Sequence, residues 1–437
     1  MRKKFNVAIV GGGIGGCMAA IKLITNRIPI SDADTSIQLF EKRDKLLSGL
    51  PFCHLHSGGF LYPMINIEEC IELLNHSLEF ATFFHDCLIM RPTIVAYRKD
   101  SPYNTVDLLE KCKLMKQKYK EFCCNDNCNS NSLGNPDSYY ASYSKKDMIN
   151  YKKFGKLPAR SPYHDSYTQE FCKILNNNSI DDIKYPFVSV MEPTILMNKV
   201  YEKITKIFDN ADNIKIHTNT TANLNELIDK FDYTINASGY QNNNKYQDSL
   251  LELKSSWTIT NNKFNSRLPE IAIIGERGTE CGMIQISQCE ENNIFQIHAM
   301  TNDSSIFECV DKIENFSKEN LQIIYNDRIP TEIVNTRTKN AINFVSKIFD
   351  DFKYSKINPS LYMWGVQRII KQTQEQTQEQ TQEQTQKEIQ MKDKRVADII
   401  FPTENYAEIQ IIKGISSVTA ANKLVQKLIQ LNKSSIN

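Results

Sequence analysis

The chain has 437 residues, 41% hydrophobic and 24% charged, an ordinary globular composition long enough for two domains or for one domain with an inserted lobe. Lysine and arginine (52) nearly cancel aspartate and glutamate (51), so the overall charge leaves no footprint for a nucleic-acid or acidic-membrane partner. No run reaches the ~18 apolar residues of a bilayer-spanning helix.

The basic start Arg2-Lys3-Lys4 leads into an apolar run that glycines break at once, unlike a secretory leader, so a cytoplasmic location is expected. Twelve cysteines are scattered, mostly singly in apolar contexts (Cys17, Cys70, Cys87, Cys172, Cys309), and read as reduced buried thiols. Cys123, Cys124 and Cys128 cluster in FCCNDNCNS. Zinc would want a fourth ligand, and no CxxC or HxxxH partner is present, so a polar loop and no metal are expected.

Phe5 to Val10 (FNVAIV) is a β-branched apolar run ending at glycine, the pattern of a buried parallel strand. A helical period runs from Ile14 to about Ile24, and residues 36–42 (SIQLFEK) read as a second strand. Residues 66–87 repeat apolar side chains every three or four positions, among them Ile67, Cys70, Ile71 and Leu74, and predict an amphipathic helix. A strand over 89–99 and a helix through TVDLLEKCKLMKQKYKEFC follow. Residues 124–186, rich in Asn, Ser, Tyr and Lys without a firm period, are expected as loops and short strands of a second lobe. A helix is expected over 192–208 with Glu192-Pro193 near its first turn, then strands at 213–220 and 232–239 and antiparallel sheet between 257 and 309. Residues 372–386 repeat a QTQE unit, too polar to offset ordering entropy by burial, and predict a disordered or frayed surface insertion. Order is expected to return in RVADIIFPTENYAEIQIIKG, before a closing helix over 416–431.

Gly11-x-Gly13-x-x-Gly16 follows a strand and opens a helix, the setting in which this spacing is informative. The first glycine permits the turn, the second lets backbone approach a pyrophosphate, and the third lets helix and strand pack; the helix N-terminus supplies amide donors. Glu41 ends the second strand 25 positions after Gly16, where a carboxylate accepts ribose hydroxyls. These features alone do not separate NAD from FAD. A strand ending in Ala237-Ser238-Gly239 and a C-terminal strand, small-residue turn and helix (IIKGISSVTAANKL) suit an extended cofactor spread between remote parts of the chain.

Together VAIVGGGIGGCMAAIKL, IQLFEKR, DYTINASG and the C-terminal Gly-Ser turn resemble the D-amino-acid-oxidase-like superfamily of FAD-dependent oxidoreductases. The resemblance implies an α/β architecture: a Rossmann-like FAD-binding domain with a parallel sheet, interrupted by an antiparallel-sheet substrate domain. The expected cofactor domain takes residues 1–90, 190–245 and 395–437, the substrate lobe 91–189 and 246–370, and the repeat insertion 371–394. It implies FAD held by Gly11, Gly13, Ile14, Gly15 and Gly16, by Glu41, Lys42 and Arg43, and by Ala237, Ser238 and Gly239. Gly414, Ile415, Ser416 and Ser417 would line the flavin. This sequence departs from the family pattern in ending the middle strand Ala-Ser-Gly and in having one glycine, Gly414, in the last turn.

GLPFCHLHSGGFLYP, residues 49–63, resembles the His-containing, glycine-paired stretch of the glycerol-3-phosphate and L-2-hydroxyglutarate dehydrogenase branches, through His56, Ser57, Gly58, Gly59 and Tyr62. The resemblance implies that Ser57, Gly58 and Gly59 contact the cofactor, the two glycines by close backbone approach to the flavin. Oxidising an alcohol requires a proton acceptor while hydride leaves carbon, and a neutral imidazole suits that task, so His56 is the candidate base. His54 is the alternative base or a cofactor contact, and Cys53 or a histidine is a candidate for a covalent flavin link. A small acid also needs an anchor, and Arg368 is the candidate, in competition with Arg91, Arg160, Arg277 and Arg328.

The expected activity is oxidation of a C–H bond beside a hydroxyl or amine of a small carboxylated substrate by hydride transfer to flavin. Oxygen, a quinone or a carrier would take the electrons, and peripheral membrane contact stays open. Two alternatives stand beside it: a flavin-dependent tRNA-modifying oxidase, against which the near-neutral charge argues, and a non-catalytic nucleotide-binding protein.

Overall fold

A computed structural model describes residues 5–26, 35–47, 52–124, 132–239, 249–289, 293–370, 398–411 and 413–434. The QTQE repeat and Cys128 lie outside these residues, while Cys123 and Cys124 end a helix.

Strand β1 (Phe5–Val10), helix α1 (Ile14–Thr25) and strand β2 (Thr35–Phe40) form the expected opening unit. β1 is the hub of a six-stranded sheet, paired in parallel with β2 on one side and Tyr233–Asn236 on the other. Ile214–His217 extends the sheet beyond β2, and Tyr406–Gln410 beyond Tyr233–Asn236, both in parallel. Asp398–Thr403 closes that edge in antiparallel pairing. On α1 the small residues Gly16, Ala19 and Ala20 are buried, and the C-terminal helix Ser417–Ser434 packs against α1.

The second sheet has nine strands, antiparallel apart from a parallel pair between Thr93–Tyr97 and Glu270–Ile274. Its longest strands, Ser249–Thr260 and Lys356–Ile370, run beside each other. Strand periodicity divides the sheet into two faces. Trp257, Ile259, Ile271, Ile273, Phe295 and Ile297 join a core with the helix Thr331–Ser346. From the central strands, Val95, Tyr97, Ala272 and Ile274 instead join the core that includes Val7 and Ile9 of β1 and Leu108 and Met115 of the helix Thr105–Cys124. A small sheet of Phe52–His54, Thr194–Leu196 and Leu88–Ile89 lies in the chain between the two systems.

Several expectations change. Cys309, expected as a buried thiol, is exposed on the strand Ile306–Val310, and Cys123 and Cys124, expected in a polar loop, end a helix. Residues 124–186 contain the helices Lys145–Phe154 and Pro162–Ile174. The first opens with a reciprocal Ser144/Asp147 capping box and the second with proline at its first turn, local signals stronger than the polar composition that masks them. The helix expected over 192–208 begins only at Met197, because Thr194–Leu196 pairs as a strand with Phe52–His54 and Leu88–Ile89. Glu192 is thereby a buried side chain in a link, not part of a helix start.

Candidate active site

Gly11 turns the chain out of β1 with φ +103°, and a Cβ there would lie 2.5 Å from the carbonyl oxygen of Ala237. A Cβ on Gly16 would fall 1.9 Å from the carbonyl oxygen of Gly11. Those two glycines bring the turn, the helix and the end of strand Tyr233–Asn236 into contact. Gly13 and Gly239 have no atom within 4 Å of a built Cβ, and Gly414 has only Ile14, at 3.9 Å. Gly13 caps α1 without a side-chain hydrogen bond to the helix's first amides, the arrangement of a helix N-terminus that can accept an anion.

Glu41 follows β2 and its carboxylate accepts from the amides of Gly12 (2.7 Å) and Arg43 (2.8 Å). Gly15 packs toward Ile411, Lys42 is exposed, and Arg43 makes a two-pronged ion pair with Asp327 of the second lobe at 2.6 Å. The Ser238 hydroxyl and amide both turn back onto the Asn236 side chain, which stiffens the Ala237-Ser238-Gly239 bend.

Beyond the small sheet, the loop carrying His56 is tied down at several points. Leu55 N–H donates to Pro193, the Ser57 hydroxyl to the Met191 carbonyl (2.6 Å), and the Tyr139 hydroxyl to the Ser57 carbonyl (2.5 Å). The His54 ring lies between two fully buried carboxylates, Nδ1 at 2.7 Å from Glu270 and Nε2 at 2.9 Å from Glu192. Burial pulls His54 down, but Glu270 and Glu192 reverse that and raise its pKa to about 9. Burial opposes ionisation of Glu270, yet His54 and Arg91 hold it down at about 2. Burial raises Glu192 above the usual carboxylate range although His54 opposes it, and with both ring nitrogens occupied by carboxylate contacts His54 is poorly placed to act as the base.

His56 is nearly buried, with its ring 4.7 Å from His54 and its Nε2 3.5 Å from the Tyr62 hydroxyl. Lys413 donates to that hydroxyl and sits 4.5 Å above the Tyr62 ring, so the fold joins the His56 loop to the turn before the last helix. In that turn Ile415, Ser416 and Ser417 are buried, and Ser416 partners His76 Nδ1 at 3.0 Å; only the Gly414 end is exposed.

Residues that escaped the sequence reading come from the second sheet. Polar side chains alternate with apolar ones in ELKSSWTI, at Glu252, Lys254 and Ser256, and in IFQIHA, at Gln296 and His298. Ser256 pairs with Gln296, Lys254 with Gln367, and Arg277 with Glu252. His298 is pushed down to about 3 by burial and by Lys254, Lys413 and Arg277, so its ring is neutral at physiological pH. Since Lys413 also reaches Tyr62, the His298 row and the His56 loop are brought together around Lys413. The alternation was a usable signal; that this face turned toward the first domain was not legible.

Among the arginines, Arg91 is fully buried and committed to Thr194 and the Gln288 carbonyl, which removes it as a substrate anchor. Arg160 pairs with Asp147. Arg368 stands opposite Leu251 in the strand register, beside Gln367 opposite Glu252, and its side chain is outside the described set.

No family model and no curated protein matches the sequence. Solved structures do match along the whole chain. Glycine oxidase from Geobacillus kaustophilus superposes with a TM-score of 0.55 at 11% identity, over 98% of this chain and 95% of that one. Fructosyl peptide oxidase from E. terrenum gives 0.54 at 12% identity, over 99% and 90%. L-proline dehydrogenase from P. horikoshii gives 0.53 at 12%, over 98% and 94%. The fold is the one these oxidases and dehydrogenases share. Likeness at such low identity defines the scaffold, while the chemistry has to be argued from the residues in it.

Proposed function

We propose that this chain is an FAD-dependent oxidoreductase that oxidises a C–H bond beside a hydroxyl or amine of a small anionic substrate. The observation that carries this reading is that Gly13 caps α1 with no side-chain hydrogen bond and has open space where a Cβ would lie, as Gly239 does, while Gly414 has only Ile14 of α1 near that position. That cradle fits a dinucleotide. The α1 amides and the Gly11–Gly13 backbone would hold its pyrophosphate, and Glu41, which accepts two backbone bonds, keeps lone pairs for ribose hydroxyls. The domain division expected above, with the 398–434 segment returning to β1's sheet, is part of the same proposal.

FAD, when bound, supplies a two-electron acceptor for hydride. The chain's own part is to orient substrate and move one proton. As the substrate carbon gives up hydride with its electron pair, one proton of the hydroxyl or ammonium passes to an imidazole, leaving a carbonyl or an iminium. His56 is placed for this by Tyr62 and by the anchored loop, and Lys413 and Lys254 set a positive potential that favours an anionic substrate. Neutral His298 supports a second assignment of the same proton.

The visible spectrum of the purified protein tests the cofactor: flavin bands, native or after reconstitution, are expected, and a colourless protein that takes up no FAD overturns the reading. His56→Ala separates the proton assignments. It should lower flavin reduction by a substrate about 100-fold with flavin retained; full activity in His56→Ala with loss in His298→Gln transfers the role to His298.

A further inference from the structure

The ion cluster under the His56 loop is larger than a loop anchor requires. Four charged or chargeable groups, Arg91, His54, Glu192 and Glu270, are at most 4% exposed and come from four different segments of the chain. Glu270 accepts from His54, Ser287 (3.0 Å) and Thr194 (2.5 Å), with Arg91 Nη2 at 3.5 Å. Glu192 accepts from His54, and its own backbone carbonyl accepts from Thr93 (2.9 Å). Two carboxylate oxygens against the two nitrogens of one ring are satisfied together when both nitrogens carry protons.

Removing that proton would aim a nitrogen lone pair at a buried carboxylate and leave the carboxylate unpaired, which is among the costliest changes an interior can undergo. His54 is also the last residue of its strand, directly before the loop that hangs from Pro193, Met191 and Tyr139.

We propose that His54 is a positioning residue whose bound proton clamps the 54–59 loop to Glu270 of the substrate-lobe sheet and to Glu192, so that loss of this proton releases the flavin. The proposal rests on the reading that FAD, held at the α1 cradle, also reaches the 54–59 loop, as the resemblance implies for Ser57, Gly58 and Gly59. The groups facing His54 are Glu270 from its strand, Glu192 from the 191–193 link and His56 from its own loop, with Arg91 acting through Glu270. Lys413 and Lys254 act on the neighbouring Cys53, and Lys111 on Glu192.

The test is FAD affinity, by flavin fluorescence, between pH 6 and 10.5. Wild type should bind evenly to about pH 8 and lose at least about tenfold in affinity by pH 10, tracking the ring signal of His54 in a carbon-13 histidine spectrum. His54→Gln should bind weakly at every pH with no alkaline limb, and Glu192→Gln should move the limb at least about one unit toward neutrality. An alkaline limb that persists in His54→Gln, or wild-type affinity that is unchanged after His54 has lost its proton, overturns the proposal. Hydrogen exchange of residues 52–60 in the flavin-free chain, corrected for intrinsic rate, gives an independent readout. Loosening above pH 9 in wild type but not beyond the His54→Gln level supports the clamp even if no flavin binds, and a pH-independent protection rejects it.

Discussion

At the scale of single residues, two glycines in one motif do opposite things. Gly16 has the Gly11 carbonyl where a Cβ would go, whereas Gly13 has open space. Gly16→Ala is therefore expected to cost about 1–3 kcal/mol by forcing the turn apart, read as a lower urea midpoint. Gly13→Ala should leave that midpoint nearly unchanged and weaken FAD binding instead, because its methyl group occupies the approach to the cofactor. Equal losses of stability in the two variants would contradict the cradle. The same scale holds the pH dependence. His54 has a folded pKa near 9 against an ordinary 6.5, so its contribution is complete below 6.5 and is lost as pH rises through about 9. The midpoint of wild type should fall between pH 7 and 10 by an amount equivalent to ~3 kcal/mol, and His54→Gln should flatten that slope.

At the scale of elements, the strand Ser249–Thr260 shows how one period serves two purposes. Leu251, Leu253, Trp257 and Ile259 face helices of the second lobe, and Glu252, Lys254 and Ser256 form the polar row of the opposite face. Lys254→Met keeps the aliphatic stem and removes the charge. It should weaken inhibition by a simple carboxylate such as acetate about 10-fold with the flavin spectrum intact, in line with one charge-assisted contact; unchanged inhibition would place the anion elsewhere. Helix and strand identities were readable wherever a period ran clear, as in 66–87 and 105–123. They were hidden at 145–174, where the short helices carry mostly polar side chains and only the caps mark them.

At the scale of the whole molecule, the lobes meet through contacts of unequal worth. The Arg43–Asp327 pair is about one-third exposed on both sides, so solvent screening holds Arg43→Ala to a loss under about 1 kcal/mol. Glu270→Gln strips a partner from fully buried His54 and Arg91 and should cost about 3–5 kcal/mol. Chemical denaturation of both variants checks the ranking, and a larger loss for Arg43→Ala would mean that the lobes are held at their surface. The opening strand, turn, helix and second strand were legible because strand, glycine spacing and acid are consecutive within about forty residues, and local spacing is what a chain displays. Partners far apart in sequence were not: nothing local pairs His54 with Glu192 and Glu270, or sets His298 beside Lys413. Sequence alone determined the opening turn, the helix it starts and the residue types available for proton transfer, since these follow from backbone sterics and short-range periodicity. Tertiary structure decided which histidine is locked as an imidazolium and which stay neutral, because that depends on the charges and the burial that distant strands bring to each ring.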